Sequence, residues 1–196
     1  INTWDTSLIT DMSELSYDEG WSGFYSEFNG DISSWDVASV TDMNFMFAAN
    51  YIFNQDLSNW DVSSVPSMEY MFYYAESFNG DISNWDVSSG IDMSYMFYSA
   101  SSFNQDISSW DVSSVTNMDV MFYSANALSD ENKCAIHTSF SSHGNWPYHW
   151  SELCFQPQTT AQLQTAVNLW ISVNVTALST YGEINSWDVS LITDME

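Results

Sequence analysis

The chain has 196 residues, of which 26 are Asp or Glu and one is Lys or Arg, so its formal net charge is −25. Nucleic acid and anionic membrane surfaces are excluded as partners, because phosphate binding requires many Lys and Arg side chains. A disordered polyanion is excluded as well, since 10 Trp, 11 Tyr and 12 Phe supply ample apolar surface for a core.

A repeat of 25 residues organises most of the chain. The block that begins at Phe28 returns three times at this spacing, beginning at Phe53, Phe78 and Phe103. A fixed period of this size predicts stacked units, because one repeat cannot bury its apolar face alone. Within each repeat, the apolar pattern Ile32-x-x-Trp35-x-Val37 is typical of a strand whose alternate residues point inward.

The second half of each repeat carries a helical stripe. In one repeat, apolar residues have the spacing i, i+3, i+4 and i+7: Met68, Met71, Phe72 and Ala75. This spacing predicts about two turns of amphipathic helix, and Asp42 in the preceding repeat is placed to cap such a helix. Each coil is therefore predicted to be strand, turn, short helix and return loop. Residues 1–128 would form about five such coils, with an insertion at 17–26.

The repeat stops after Phe122, and a different segment follows. Ser129 and Thr160 are each placed to cap a helix, so residues 129–183 are predicted to be a helical capping and connecting segment. Asn174 begins an N-glycosylation sequon, Asn-Val-Thr, within this segment.

The same segment contains both cysteines, Cys134 and Cys154. A disulfide closing a loop of about 20 residues would contribute roughly 3 kcal/mol in the chain-entropy model. Two buried free thiols are the alternative.

The end of the chain repeats its beginning. Residues 1–13 are INTWDTSLITDMS and residues 184–196 are INSWDVSLITDME, so ten of the thirteen positions are identical at an offset of 183. Residues 184–196 are therefore predicted to be the first strand of a further super-repeat. This pattern predicts that the chain is one unit of a longer array.

The run Asp-Ile-Ser-x-Trp-Asp-Val-Ser-Ser-Val-Thr-x-Met-x-x-Met-Phe is similar to the repeat of bacterial surface lipoproteins. Over residues 28–128 and the two end segments, the chain resembles the BspA-like leucine-rich-repeat proteins. The resemblance implies an α/β repeat fold, a right-handed leucine-rich-repeat-like solenoid with parallel strands and short helices. It also implies a cell-surface location with an adhesive role, and it supplies no catalytic residue.

A predicted partner face comes from the outward positions of the strands. The residue between Trp and Val is always Asp, and stacking would align these residues in a column: Asp36, Asp61, Asp86 and Asp111. Carboxylates about 4.8 Å apart repel by roughly 0.9 kcal/mol in water. Hydrogen bonds, raised pKa values or bound Ca²⁺ could offset this repulsion. Neighbouring polar residues complete the face: Ser34, Asn59, Asn84 and Ser109. Its expected ligands are a glycan, Ca²⁺ or a cell-surface protein.

Nothing in the sequence predicts an enzyme. No Ser-His-Asp arrangement, glycine-rich phosphate loop or acid pair stands out, and the spacing of His137, His143 and His149 suits no zinc site. No run of 18 apolar residues is present, so no transmembrane helix is predicted. The expected function is an extracellular or cell-surface structural or adhesive protein that stacks end to end with itself. The alternative is a glycan- or calcium-binding module, with Ca²⁺ as the cofactor considered.

Overall fold

A computed structural model describes residues 4–16, 27–182 and 184–192. The insertion at 17–26 therefore lies outside the described residues. Regular helices occupy the C-terminal part: α1 Asp130–Phe140, α2 Thr160–Ser172 and α3 Asn174–Tyr181, with short 3₁₀ helices at Ser151–Leu153 and Ile184–Ser186. From residue 27 to residue 128 the chain is a stack of 25-residue coils, and each coil is built from consecutive turns.

The predicted α/β leucine-rich-repeat solenoid with parallel strands is wrong. The described residues contain no strand and no sheet. Isolated parallel bridges occur instead between Asp11 and Asp42, Ser67 and Asp92, and Asp92 and Asn117. Where a strand was predicted, the Trp35 amide donates to the Ile32 carbonyl at 3.0 Å, and the Val40 amide donates to the Val37 carbonyl at 2.9 Å. Each strand-like motif thus folds into two successive turns.

The Asp residues at the corners explain these turns. The Asp31 carboxylate accepts the Ser33 amide at 3.0 Å, and the Asp36 carboxylate accepts the Ala38 amide at 3.1 Å. Such bonds satisfy backbone amides locally and bend the chain, so they compete with the pairing that an extended strand requires. The same bonds recur at the equivalent Asp residues of later coils.

The predicted short helix is also a run of turns. The Met46 amide donates to the carbonyl three residues back at 3.2 Å, whereas the Phe47 amide donates to Met71 of the next coil at 2.9 Å. This alternation uses left-handed backbone at Phe45, with φ 57°, and at Ala49, with φ 54°. Two turns of helix are marginal alone, and the hydrogen bonds to the next coil replace the helical ones.

Apolar side chains from the turns fill the interior of the stack. Phe53, Phe78 and Phe103 are fully buried, with ring centroids 5.9 and 6.3 Å apart in succession. The Trp60 indole nitrogen donates to the Ile32 carbonyl of the preceding coil at 3.1 Å, and later coils repeat this bond. Burying one such side chain stabilises the fold by about 1.5–3 kcal/mol. The aromatic columns therefore supply much of the cohesion between coils.

A column of Asn side chains fixes the 25-residue register. The Asn54 carbonyl oxygen Oδ1 accepts the Asn79 amide at 2.8 Å, and Asn79 Oδ1 accepts the Asn104 amide at 2.8 Å. Asn29 and Asn104 make the same bond to the residue 25 positions further on. Each bond satisfies a backbone amide that a turn leaves without a partner in its own coil.

Candidate interaction surfaces

The predicted partner face is present as one exposed set of equivalent positions in successive coils: Ser34, Asp36, Asn59, Asp61, Asn84, Asp86, Ser109 and Asp111. Its carboxylates are engaged within their own coils. Asp61 accepts the Ser63 amide at 3.1 Å and the Ser63 hydroxyl at 2.6 Å, and Asp86 binds Ser88 in the same way. The hydroxyl bonds, followed by the amide bonds, lower the pKa of Asp61 and of Asp86. The Asp61 and Asp86 side chains therefore stabilise their turns in the charged, carboxylate form.

Calcium binding has no preformed cage on this face. Among the described residues, no group of three or more His, Cys, Asp or Glu side chains could hold a metal ion. Calcium takes six to eight oxygen ligands, whereas each coil contributes one carboxylate to this column. Calcium at Asp36, Asp61, Asp86 and Asp111 stays a prediction.

Sequence reasoning missed a second surface, a stack of largely half-exposed aromatic rings that we call the tyrosine surface: Phe45, Tyr70, Tyr73, Tyr95, Tyr98 and Tyr123. The Tyr70 ring lies between those of Phe45 and Tyr95, 4.5 Å from each and tilted by no more than 8°. Burial is the largest cause that raises the pKa of Tyr70. The recurrence of Tyr at 25-residue spacing was the available signal.

Residues 129–182, which we call the cap, follow the last coil, and side chains from the first part of the cap cover that coil by replacing groups of a further coil. The Asn132 side chain donates to the Asn104 carbonyl at 3.1 Å and to its side-chain oxygen at 2.9 Å, as Gln side chains do in earlier coils. The Tyr148 hydroxyl accepts the Phe122 amide at 2.7 Å, where earlier Phe amides donate to a carbonyl of the next coil. Burial raises the pKa of Tyr148 to about 12.

The cap also binds residues 184–192, through a different set of residues. The Asp188 amide donates to the Phe155 carbonyl at 3.1 Å, and the Trp187 indole nitrogen donates to the Tyr181 carbonyl at 2.8 Å. Cys134 and Cys154 form a disulfide with Cα atoms 5.1 Å apart, so they are not free thiols. The disulfide joins α1 to the chain just before Phe155 and so supports this binding surface.

Residues 187–192 adopt the same turns as residues 4–9. In both segments, the Asp that follows Trp accepts the amide of the residue two positions further on, at 2.9 and 3.1 Å. In both, an Ile amide donates to the carbonyl three residues back at 2.9 Å. The segment predicted to be a first strand is therefore the turn-built start of a coil, as far as Ile192.

The other predicted residues have local roles or exposed positions. Asn174 is exposed at the first residue of α3, and its glycosylation stays a prediction. His137 accepts a hydrogen bond from the Trp146 indole at 3.0 Å, and burial, more than the nearby His149, lowers the pKa of His137. No helix of the described residues is long and apolar enough to cross a membrane.

No curated protein and no solved structure matches the chain significantly. A family model does match, over residues 1–89 and again over residues 67–143. That family is not the BspA-like leucine-rich-repeat group, so the identification suggested by the repeat motif is wrong, and no strand within residues 4–16, 27–182 and 184–192 supports a leucine-rich repeat. Because the matched ranges cover more than half of the sequence, the chain belongs to the family DUF285, described as "Mycoplasma protein of unknown function".

Proposed function

We propose that this protein is a non-enzymatic extracellular structural or adhesive protein, and that it forms one unit of an array of stacked coils. The observation that carries the proposal is the docking of residues 184–192 on the cap in the turn geometry of a coil. A cap that both covers one coil stack and holds the start of another is suited to joining units in series.

The hydrogen bonds between coils favour such an array. A coil at the end of a stack leaves amides and carbonyls without a partner coil, and such edges attract further units unless they are covered. The cap covers the last coil with Tyr148 and Asn132, which replace groups of a following coil. The cap also supplies the Tyr181 carbonyl, which accepts the Trp187 indole N–H where a carbonyl of a preceding coil would accept it.

The polar residues support a structural role over a catalytic one. The corner Asp side chains bind amides of their own turns, and the Asn column binds amides of the next coil. Both tasks recur with the 25-residue period, whereas catalysis needs a unique group of residues.

Charge and the disulfide support an extracellular location. The described residues include a single close ion pair, Lys133 with Asp130 at 3.8 Å, so most acidic groups depend on salt for screening. The Cys134–Cys154 disulfide is the form that cysteines take in oxidising compartments.

Electron cryo-microscopy of the protein purified from its source tests the proposal. The expected particles are rods in which coil stacks alternate with helical joints. Compact, isolated particles at all protein concentrations and in high salt would refute the array.

The alternative, a glycan- or calcium-binding module on the acidic face, has less support because the carboxylates already bind their own turns. A glycan array and calorimetric titration with CaCl₂ test it directly. Binding that disappears in an Asp61→Asn, Asp86→Asn variant would favour this alternative over a purely structural role.

A further inference from the structure

Two nearly identical segments of this chain lie in different environments. Trp4 is 63% exposed and Trp187 is 9% exposed, although their flanking sequences match. The Ile residues five positions further on differ in the same direction, with Ile9 43% exposed and Ile192 9% exposed. The cap contacts the second segment, at Trp187 and Asp188.

The cap holds Trp187 with aromatic and polar contacts. The Trp187 ring meets Phe155 edge to face, with centroids 5.1 Å apart, and also contacts Tyr181 at 6.1 Å. Hydrogen bonds to backbone carbonyls fix the register, because the Asp188 amide donates to the Phe155 carbonyl and the Trp187 indole nitrogen donates to the Tyr181 carbonyl. A Trp that loses these contacts exposes a large apolar surface.

The cap occupies the place of a preceding coil. Within the stack, each indole from Trp60 onward donates to a carbonyl of the coil before it, such as Trp60 to Ile32. The Trp187 indole donates to a cap carbonyl instead. Trp4 contacts the following coil instead, because its ring stacks on that of Trp35 with centroids 6.3 Å apart.

We infer that residues 4–9 of a second copy dock on the surface formed by Phe155 and Tyr181, in the place that Trp187 holds within one chain. This inference rests on the proposed array and specifies its joint. The partner is a second copy of this coil stack, because five of the six residues 4–9 are identical to residues 187–192, which the cap already binds. Within one chain, residues 184–192 hold the surface at a tethered effective concentration of about millimolar, so they must be loosened before another copy can enter.

The test uses the full chain with Trp187→Ala and a peptide of residues 4–12 in which Trp4 is replaced by 5-fluorotryptophan. Titrations followed by ¹⁹F NMR should give an affinity at least about tenfold higher for the variant than for the wild-type chain, whose own segment competes. A peptide with 5-fluorotryptophan placed at residue 12 and Trp4→Ala is the matched ligand control. Adding Phe155→Ala to the variant is the matched receptor control, and both should abolish binding.

A second variant, Asp188→Pro, also weakens the docking of residues 184–192, and it serves as the test if Trp187→Ala prevents the cap from folding. It removes the amide that binds Phe155 and leaves the receiving rings in place. Equal peptide binding by wild-type and both loosened chains, or no binding by either loosened chain, would overturn the inferred joint. Rods in micrographs without Trp-dependent peptide binding would overturn the joint and leave the array. Peptide binding without rods would keep the joint and overturn the array.

Discussion

The adjacent residues Ala48 and Ala49 test whether each coil is built from turns. Ala48 is fully buried, whereas Ala49 is partly buried and has a φ of 54°. Left-handed backbone costs a non-glycine residue about 1–2 kcal/mol, and glycine avoids this cost. Glycine also has more entropy to lose on folding, worth about 0.5–1 kcal/mol. Ala49→Gly should therefore stabilise the protein by about 0.5–1 kcal/mol.

The neighbouring substitution should have the opposite sign. Ala48→Gly removes a fully buried methyl group, worth about 0.8 kcal/mol, and adds the same entropy cost. The expected loss is about 1.5 kcal/mol in the free energy of unfolding. In the amphipathic helix that the spacing predicts, both substitutions would destabilise the protein, each by up to about 1 kcal/mol.

Urea unfolding, monitored by Trp fluorescence and far-ultraviolet circular dichroism, measures the change in stability caused by each substitution. The comparison requires unchanged m-values, so that a shift in the midpoint reports stability. Ser99, with a φ of 56°, and Ser124, with a φ of 59°, occupy the position of Ala49 in later coils, so Ser→Gly there should reproduce the stabilisation. A loss of about 1 kcal/mol on Ala49→Gly, similar to that on Ala48→Gly, would refute the turn-built coil.

Three further predictions concern the disulfide, the acidic column and the cap. Reducing Cys134–Cys154 should destabilise the cap by about 3 kcal/mol, seen as an earlier urea transition that a Cys→Ser double variant reproduces without reductant. Hydrogen bonds lower the folded-state pKa of Asp61 and Asp86, so their stabilisation is present above the unfolded pKa and lost as pH falls through the folded value. The double variant Asp61→Asn, Asp86→Asn should therefore lose less stability than the wild-type protein as the pH falls. CaCl₂ and NaCl of equal ionic strength should raise the Tm of the wild-type protein equally. Burial raises the pKa of Tyr148 to about 12, so its stabilisation should disappear between about pH 10 and 12, and Tyr148→Phe should flatten that part of the pH profile.

The period and the buried positions could be predicted from the sequence, but not the backbone between them. Ile32, Trp35 and Val37 are all buried, as the strand interpretation required. Turns produce the same burial, because a chain that bends every few residues also returns alternate side chains to the interior. The deciding signal was chemical, since the Asp before Ile32 and the Asp before Val37 each accept an amide two residues further on.

The helical cap could be predicted better because its signals are local. Ser129 accepts the Asn132 amide at the start of α1, as its position in the sequence indicated. Thr159, one residue before the predicted Thr160, caps α2. The contacts of the cap could not be predicted, because Tyr148 and Asn132 act on residues that only the folded stack brings near.

The tyrosine surface could have been found, but its geometry could not. The sequence places Tyr73, Tyr98 and Tyr123 at 25-residue intervals. In the predicted helices, these Tyr residues would lie on the polar side, and the rings of successive repeats would not be expected to touch. The turn-built coil instead brings the rings of successive coils to centroid distances of 5.1 and 4.9 Å.

The turn-built coil also accounts for the unusual charge of this protein. A corner Asp that binds the amide two residues further on interacts with a backbone dipole, so it needs no Lys or Arg partner. The equivalent Asp residues do this coil after coil, and a Ser hydroxyl adds a second bond at Asp61 and Asp86. Repeating the coil therefore multiplies acidic residues without a matching need for basic ones. For the same reason, the net charge by itself does not indicate a ligand.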